Sequence, residues 1–221
     1  MLVEDSEPVQ IDRAVRRFVS RGGEKLAAAL DRFGVDPGGR DCLDAGASTG
    51  GFTDCLLQRG ASTVTAVDVG YGQLAWPLRN DDRVVVLERT NVRSLTPGDL
   101  PGTPSLVVAD LSFISLRTVL PTLAGLLATG GELVLLVKPQ FESRRDEVGK
   151  GGVVRDPAAW KRAIEGVAAT CRDVGLAPRA IMASPLPGPA GNVEFLLHAT
   201  AREDGGSLDI GSAIEEGKAL R

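Results

Sequence analysis

Two hydrophobic rhythms alternate along the chain. Short runs in which nearly every residue is apolar recur at 41–43, 63–67, 84–88, 105–109, 132–137, 179–183 and 193–199. Runs of that length, rich in Val, Leu and Ile and bounded by turn residues, predict buried strands. Between them, apolar residues return every three or four positions, as at Leu26, Ala29, Leu30 and Phe33 within 24–33. The same spacing predicts helices over 52–58, 73–78, 116–127 and 157–173, the last opened by Asp156-Pro157, a capped start. Strands alternating with helices predict an α/β fold built on a mostly parallel sheet covered on both faces. The last two strands are joined by Pro- and Gly-rich residues 184–191 without a helix, a connection that permits an antiparallel neighbour. The expectation is a Rossmann-like, seven-stranded, mostly parallel sheet whose last strand is antiparallel, with helices on both faces.

Composition changes this picture in a few places. At 221 residues the chain fills one core and leaves little for a second domain. Residues 1–20 are polar and weakly patterned and read as a linker or the remnant of something upstream. Residues 21–204 read as one domain, and 205–221 as a tail with a short helix over 207–220. No apolar run approaches the roughly 20 residues that cross a bilayer. The first residues lack the order of a secretory signal, so a cytoplasmic protein is expected. Cys42, Cys55 and Cys171 lie in apolar segments without C-x-x-C spacing and read as buried thiols; no metal site is expected. Net charge is −4, yet Arg16, Arg17 and Arg21 cluster early, and Arg144, Arg145 and Lys150 cluster later. These are candidate anion or RNA contacts, with solvated loops and helix faces as the plainer alternative.

The densest signal is Cys42-Leu43-Asp44-Ala45-Gly46-Ala47-Ser48-Thr49-Gly50-Gly51-Phe52. An apolar run ends in an acid, glycines follow, and a helical pattern begins at Phe52. Glycine lets a backbone approach a ligand closely, and the helix beyond offers free N–H groups. Asp44, Gly46, Ala47, Ser48, Gly50, Gly51 and Phe52 are therefore candidate contacts to a nucleotide-like cofactor. Asp68, 22 positions after Gly46, lies where such folds hold ribose hydroxyls, with Val69 beside it. Thr90 and Asn91, after the third strand, are candidates for the adenine edge. The dinucleotide pattern G-x-G-x-x-G is absent. An acid ahead of the first glycine can meet the cationic amino acid end of S-adenosylmethionine and would repel a pyrophosphate. S-adenosylmethionine is favoured, with a nicotinamide dehydrogenase as the competitor.

Polar residues also close three later strands at the ligand-binding edge: Asp110, Lys138 and Glu194, the last taken to open its strand. A lysine ending a buried strand needs a carboxylate partner or loses its proton. Trp76 and Trp160 read as core, and His198 as a packed edge-strand histidine. Tyr71 lines the cofactor pocket or covers the sheet edge, and residues 144–152 are a candidate lid.

Six ordered blocks carry a family resemblance: Ser20-Arg21-Gly22-Gly23-Glu24-Lys25-Leu26, Leu43 through Phe52, Asp68-Val69-Gly70-Tyr71-Gly72-Gln73-Leu74, Asp110-Leu111-Ser112-Phe113-Ile114-Ser115, Val137-Lys138-Pro139-Gln140-Phe141-Glu142 and Gly188-Pro189-Ala190-Gly191-Asn192-Val193-Glu194. From about Arg16 to Ala201 the chain resembles the TlyA-type (hemolysin A-like) methyltransferases of the FtsJ-like group. The resemblance implies S-adenosylmethionine as donor and the ribose 2′-hydroxyl of cytidines in ribosomal RNA as acceptor. Ribosomal RNA or ribosomal subunits are then the partner. It implies a catalytic Lys-Asp-Lys-Glu set at Lys25, Asp110, Lys138 and Glu194; on chemical grounds Lys138, with Lys25 near it to lower its pKa, is the choice to take or orient the hydroxyl proton. It makes 21–204 the methyltransferase domain. Such proteins usually carry an S4-like RNA-binding domain ahead of it, so residues 1–20 read as the remnant of one and the chain as part of a longer protein. The family's Arg-Ala-Trp-Val linker reads Arg16-Arg17-Phe18-Val19 here. Two other readings stand beside this one: a methyltransferase for a small-molecule hydroxyl, and a non-catalytic RNA- or membrane-binding, hemolysin-like protein.

Overall fold

A computed structural model describes residues 17–201 and 207–220. The strands are β1 (Asp41–Ala45), β2 (Thr63–Val67), β3 (Val84–Leu87), β4 (Leu106–Ala109), β5 (Glu132–Val137), β6 (Ala177–Ala183) and β7 (Phe195–Thr200). The α-helices are α1 (Arg21–Phe33), α2 (Gly51–Gln58), α3 (Trp76–Arg79), α4 (Leu116–Leu126), α5 (Pro139–Glu142), α6 (Pro157–Asp173) and α7 (Ile210–Ala219). All seven strands join one sheet in the order β3-β2-β1-β4-β5-β7-β6. β1 to β5 run parallel, and β7 is antiparallel to both β5 and β6. The strands therefore step outward from β1 to β3, and the chain then returns to place β4 on β1's other side. That reversal opens a crevice at the carboxyl ends of β1 and β4, where open α/β sheets bind ligands.

Alternate residues of the inner strands feed two cores. Leu43, Val107, Leu133, Leu135 and Phe195 face α4, α6 and α7, with Trp160 fully buried among them. Cys42, Val64, Leu106, Val134 and Leu196 face α1 and α2. Every inner strand is covered on both sides, which is why these segments read as continuous apolar runs. Cys42, Cys55 and Cys171 are buried, and burial pushes each thiol up to about 12. Among the described residues no helix is long and apolar enough to cross a membrane.

Several expectations need correction. The helix expected over 73–78 is a single turn beginning at Trp76, with Pro77 in its first turn. The shortened helix turns Leu74 and Leu78 inward against Gly50 and leaves Trp76 74% exposed, not in the core. His198 is packed, as expected, but not on an edge strand, because β7 lies between β5 and β6. Its Nε2 meets Glu132 Oε1 at 3.2 Å at the end of the sheet away from the crevice, and its ring stacks on Phe33. Glu194 precedes β7 rather than opening it. The tail helix, expected over 207–220, is α7 over Ile210–Ala219, and it docks: Ala213 and Ile214 are buried, and Glu216 Oε2 accepts from the edge-strand Ala183 N at 3.1 Å. Phe18, assigned to the lead-in over 1–20, is 3% exposed and packs against Gly23 of α1.

Glu142 joins α5 to the start of α4. Its buried carboxylate accepts from Ser115 Oγ (2.5 Å), Leu116 N (2.6 Å) and Arg117 Nε (3.2 Å), while burial pushes its pKa upward. Glu142→Ala strands those donors and should lower the free energy of unfolding by about 1–3 kcal/mol. Urea denaturation followed by circular dichroism measures the loss.

Candidate active site

The crevice is built on the turn that follows β1. Gly46 N and Ala47 N both donate to Val67 O, at 2.8 and 3.1 Å, so the turn is pinned to the end of β2. On its other side Asp110 N donates to Ala45 O at 3.0 Å. Gly46 has φ +88°, and a Cβ there would lie 2.4 Å from Asp110 O. Only glycine satisfies both constraints. Asp68 braces the turn from the side, with Oδ2 accepting from Ser48 N (2.8 Å) and Oδ1 from Gly70 N (2.7 Å).

Two cavities meet over this turn, sharing Gly46, Ser48, Asp110 and Ser112. The larger, about 490 Å³, is lined by Asp68, Val69, Thr90 and Asn91 together with Leu111 and Phe113. It falls within the roughly 300–1,000 Å³ typical of small-ligand sites. The smaller, about 250 Å³, is lined by Ala47, Gly51, Phe52, Lys25, Lys138 and Glu194, with Arg21 at its edge. Of the expected cofactor contacts, Asp44 and Gly50 line neither cavity. Gly50 is turned under Leu74 and Leu78.

Asp44 corrects the sequence argument most directly. Rather than facing a cationic ligand, it is 0% exposed beneath the turn, where Oδ2 accepts from Thr53 N (2.9 Å) and Thr53 Oγ1 (2.7 Å). Oδ1 is buried without a partner among the described residues. Burial raises its pKa to about 7, against the opposing effect of the Thr53 hydrogen bonds.

In the smaller cavity two lysine–carboxylate pairs converge. Lys138 Nζ lies 2.5 Å from Asp110 Oδ1 and donates to Ser112 Oγ at 3.0 Å. Lys25 Nζ lies 2.5 Å from Glu194 Oε2, with both side chains almost fully buried. Lys25 comes from α1, whose first turn lies against the first turn of α2. A Cβ on Gly51 would strike Ser20 Oγ at 2.2 Å, so the two helices close up only over glycine. All four strand-end and helix residues expected to form one set are thus brought together.

The candidate basic contacts divide. Arg21 borders the smaller cavity. Arg17 is exposed, its guanidinium 4.9 Å from the Phe18 ring centroid. Arg144, Arg145 and Lys150 are exposed on the segment between α5 and α6. That segment is tethered: Asn192 takes Val154 N and gives to Gly152 O, both at 2.9 Å, and Glu147 pairs with Arg162. Arg16 lies outside the described residues. Tyr71 lines neither cavity; it is 69% exposed under the Arg89 guanidinium.

Ser112, Phe113 and Gln140 were not assigned roles from sequence, although each sits within three residues of a strand-end acid or lysine. Phe113 is 93% exposed at the mouth of the larger cavity, in left-handed backbone (φ +65°), with its ring 5.3 Å from that of Phe141. A bulky residue held there marks a site where local strain serves another end.

Comparison with known proteins gives the family. Residues 18–201 match the FtsJ-like methyltransferase model. The chain belongs to that family. It is 57% identical over 189 residues to the Mycobacterium tuberculosis 16S/23S rRNA (cytidine-2′-O)-methyltransferase TlyA, covering 86% of this chain and 70% of that protein. It is 40% identical over 197 residues to hemolysin A of Brachyspira hyodysenteriae, covering 89% and 82%. A crystal structure of a candidate hemolysin from Lactococcus lactis superposes with a TM-score of 0.88 at 45% identity, covering 91% of this chain and 99% of that one. For a methyltransferase of this fold the fit to S-adenosylmethionine can be tested on the site itself. Gly46, with its Cα packed against the Asp110 backbone, presents bare backbone to both cavities, and Asp68 and Asn91 supply polar atoms along the larger one. The residues fit.

Two outcomes are expected. Gly46→Ala should weaken S-adenosylmethionine binding at least tenfold in calorimetry, because the added Cβ must displace the Asp110 backbone. For Asp44, the folded chain holds a proton up to about pH 7 that the unfolded chain releases near its ordinary value of 3.8. Its contribution to stability is therefore whole below about pH 4, falls as pH rises, and is gone above about 7. Asp44→Asn lacks this dependence, so its unfolding free energy relative to wild type should rise by roughly 2–3 kcal/mol between about pH 5 and about pH 8. Denaturant titrations at the two pH values measure it.

Proposed function

We propose that this chain transfers a methyl group from S-adenosylmethionine to the ribose 2′-hydroxyl of ribosomal RNA, with cytidine as the target nucleotide. The observation that carries the reading is the convergence of Lys25–Glu194 and Lys138–Asp110 beside the cavity that would hold the donor. The larger cavity would take the cofactor, with Asp68 toward its ribose and Thr90 and Asn91 toward its adenine. When bound, the sulfonium supplies a methyl group already activated toward nucleophiles. What remains for the protein is to align a poorly acidic hydroxyl and accept its proton, and alignment alone lowers a barrier by several kcal/mol. Lys138 is the group placed to take that proton, once it has surrendered its own to solvent. Asp110 and Ser112 fix its Nζ, and the buried Lys25–Glu194 pair forms the opposite wall.

Phe113 favours a nucleic acid over a small-molecule acceptor. An exposed aromatic ring at the mouth, backed by Phe141, suits stacking of an unpaired base, which is how proteins commonly grip single-stranded RNA. Arg17, Arg21, Arg144, Arg145 and Lys150, with Arg16 beyond the described residues, are the proposed phosphate contacts. Ribosomal RNA as acceptor implies a cytoplasmic enzyme. We also retain the division into a lead-in (1–20), a methyltransferase domain (21–204) and a tail (205–221); among the described residues, Phe18 and α7 pack against the domain.

Mass mapping of 2′-O-methyl groups on ribosomal RNA after incubation with this chain and S-adenosylmethionine tests the reading, and modified cytidine is the expected product. Lys138→Ala should slow single-turnover transfer by about 10²–10⁴-fold, the range for loss of a general base. Wild-type rates in that variant would remove Lys138 from the role.

A further inference from the structure

The two ion pairs stand on neighbouring strand ends, yet each lysine keeps its own carboxylate. In the β5–β7 ladder Val137 is opposite Phe195, so the next residues outward are Lys138 and Glu194. Position would pair them. Instead Lys138 turns to Asp110, and Glu194 Oε2 accepts from Lys25 Nζ. The remaining oxygen, Oε1, accepts from Gln140 Nε2 at 3.3 Å. Its other side is closed by Gly188, where a Cβ would lie 2.5 Å away. Gln140 sits on the α5 turn, two residues beyond Lys138, so its side chain reaches across the end of the lysine's own strand. Its amide oxygen is buried without a partner among the described residues. Reversing the amide would set that oxygen against a carboxylate, so the NH₂ group must face Glu194. A buried acceptor left unpaired calls for a compensating role.

We propose that Gln140 is a positioning residue that keeps the two ion pairs separate, occupying Glu194 Oε1 so that Lys138 has one carboxylate partner and not two. This rests on the methyl-transfer reading and deepens it. The charged groups that line the smaller cavity with Lys138 are Asp110 from the end of β4, Glu194 from the approach to β7, and Lys25 and Arg21 from α1. Asp68 lies farther off at the end of β2, and Glu142, on α5 itself, is engaged by Ser115, Leu116 and Arg117. One carboxylate anchors the ammonium. A second would hold its proton more tightly and oppose its work as a base.

Gln140→Leu keeps the bulk and removes the donor; Gln140→Glu replaces the donor with a further carboxylate. The assay is single-turnover transfer of tritiated methyl from S-adenosylmethionine to unmethylated bacterial ribosomal subunits, followed from about pH 6 to about pH 9.5. In Gln140→Leu the rising limb should move up by about one pH unit, which is about tenfold in rate near neutrality, with recovery at high pH. Gln140→Glu should move it further. Affinity for S-adenosylmethionine in calorimetry should stay within about twofold of wild type, since Gln140 lines neither cavity. Gln140→Met, also without a donor, should repeat the Leu result, and it carries the test if thermal melts show the Leu variant unfolded. A limb that does not move in a folded donor-less variant, or a rate lowered equally at every pH, overturns the proposal. A wild-type chain that transfers no methyl at any pH overturns the underlying reading instead, a different result.

Discussion

Lys25 and Glu194 are 169 residues apart, and the ion pair between them closes the site from both ends of the chain. Burying two charges costs several kcal/mol per ion unless good geometry and further hydrogen bonds offset it. The neighbourhood meets that demand with Gln140 on the second carboxylate oxygen and Gly188 pressed close behind. It also constrains the fold. α1 must lie close enough to α2 to bring Lys25 over the sheet edge, which requires glycine at Gly51. The loop before β7 must fold back on itself, as the Gly188 N to Asn192 O hydrogen bond of 2.9 Å makes it do. Such a pair contributes little to stability by itself; it forms the wall of the smaller cavity that Lys138 also lines.

The parallel sheet supplies the remaining placement. β1, β4 and β5 end at one edge, so Gly46, Asp110 and Lys138 arrive there without any long loop. β7 runs the opposite way and enters at that same edge, so its incoming residue Glu194 joins them. The antiparallel strand is thus a chemical device as well as a topological variation. A parallel strand in its place would deliver its first residue to the far edge, where Glu132, Arg40 and His198 form a separate charge cluster.

Much of this was legible in the sequence. Continuous apolar runs give β1 to β7 within a few residues, because strands covered on both faces have no polar side to obscure the pattern. The four charged residues were visible as polar groups closing apolar runs or, for Lys25, through a motif shared with a family. Side-chain direction was not legible. Trp76 was misread because Pro77 starts the α3 turn late and shifts the phase of its apolar positions. Gln140 and Ser112 escaped because their roles depend on neighbours 54 and 26 residues away. No local pattern records such a distance.

The two acids around the glycine turn show why motif chemistry and structural chemistry can part. Both Asp44 and Asp68 lie where a carboxylate could greet a cationic cofactor. Asp68 stands at the end of β2, open to the larger cavity, and spends its oxygens on the N–H groups of Ser48 and Gly70. Asp44 belongs to β1 itself, one strand inward and flanked by β2 and β4, so no solvent reaches it. Its partner is Thr53 in the first turn of α2, and the pair fastens that helix to the strand it follows. An acid before the first glycine is explained by helix anchoring as fully as by ligand charge. The sign of the Asp44 charge therefore does not distinguish a sulfonium cofactor from a pyrophosphate.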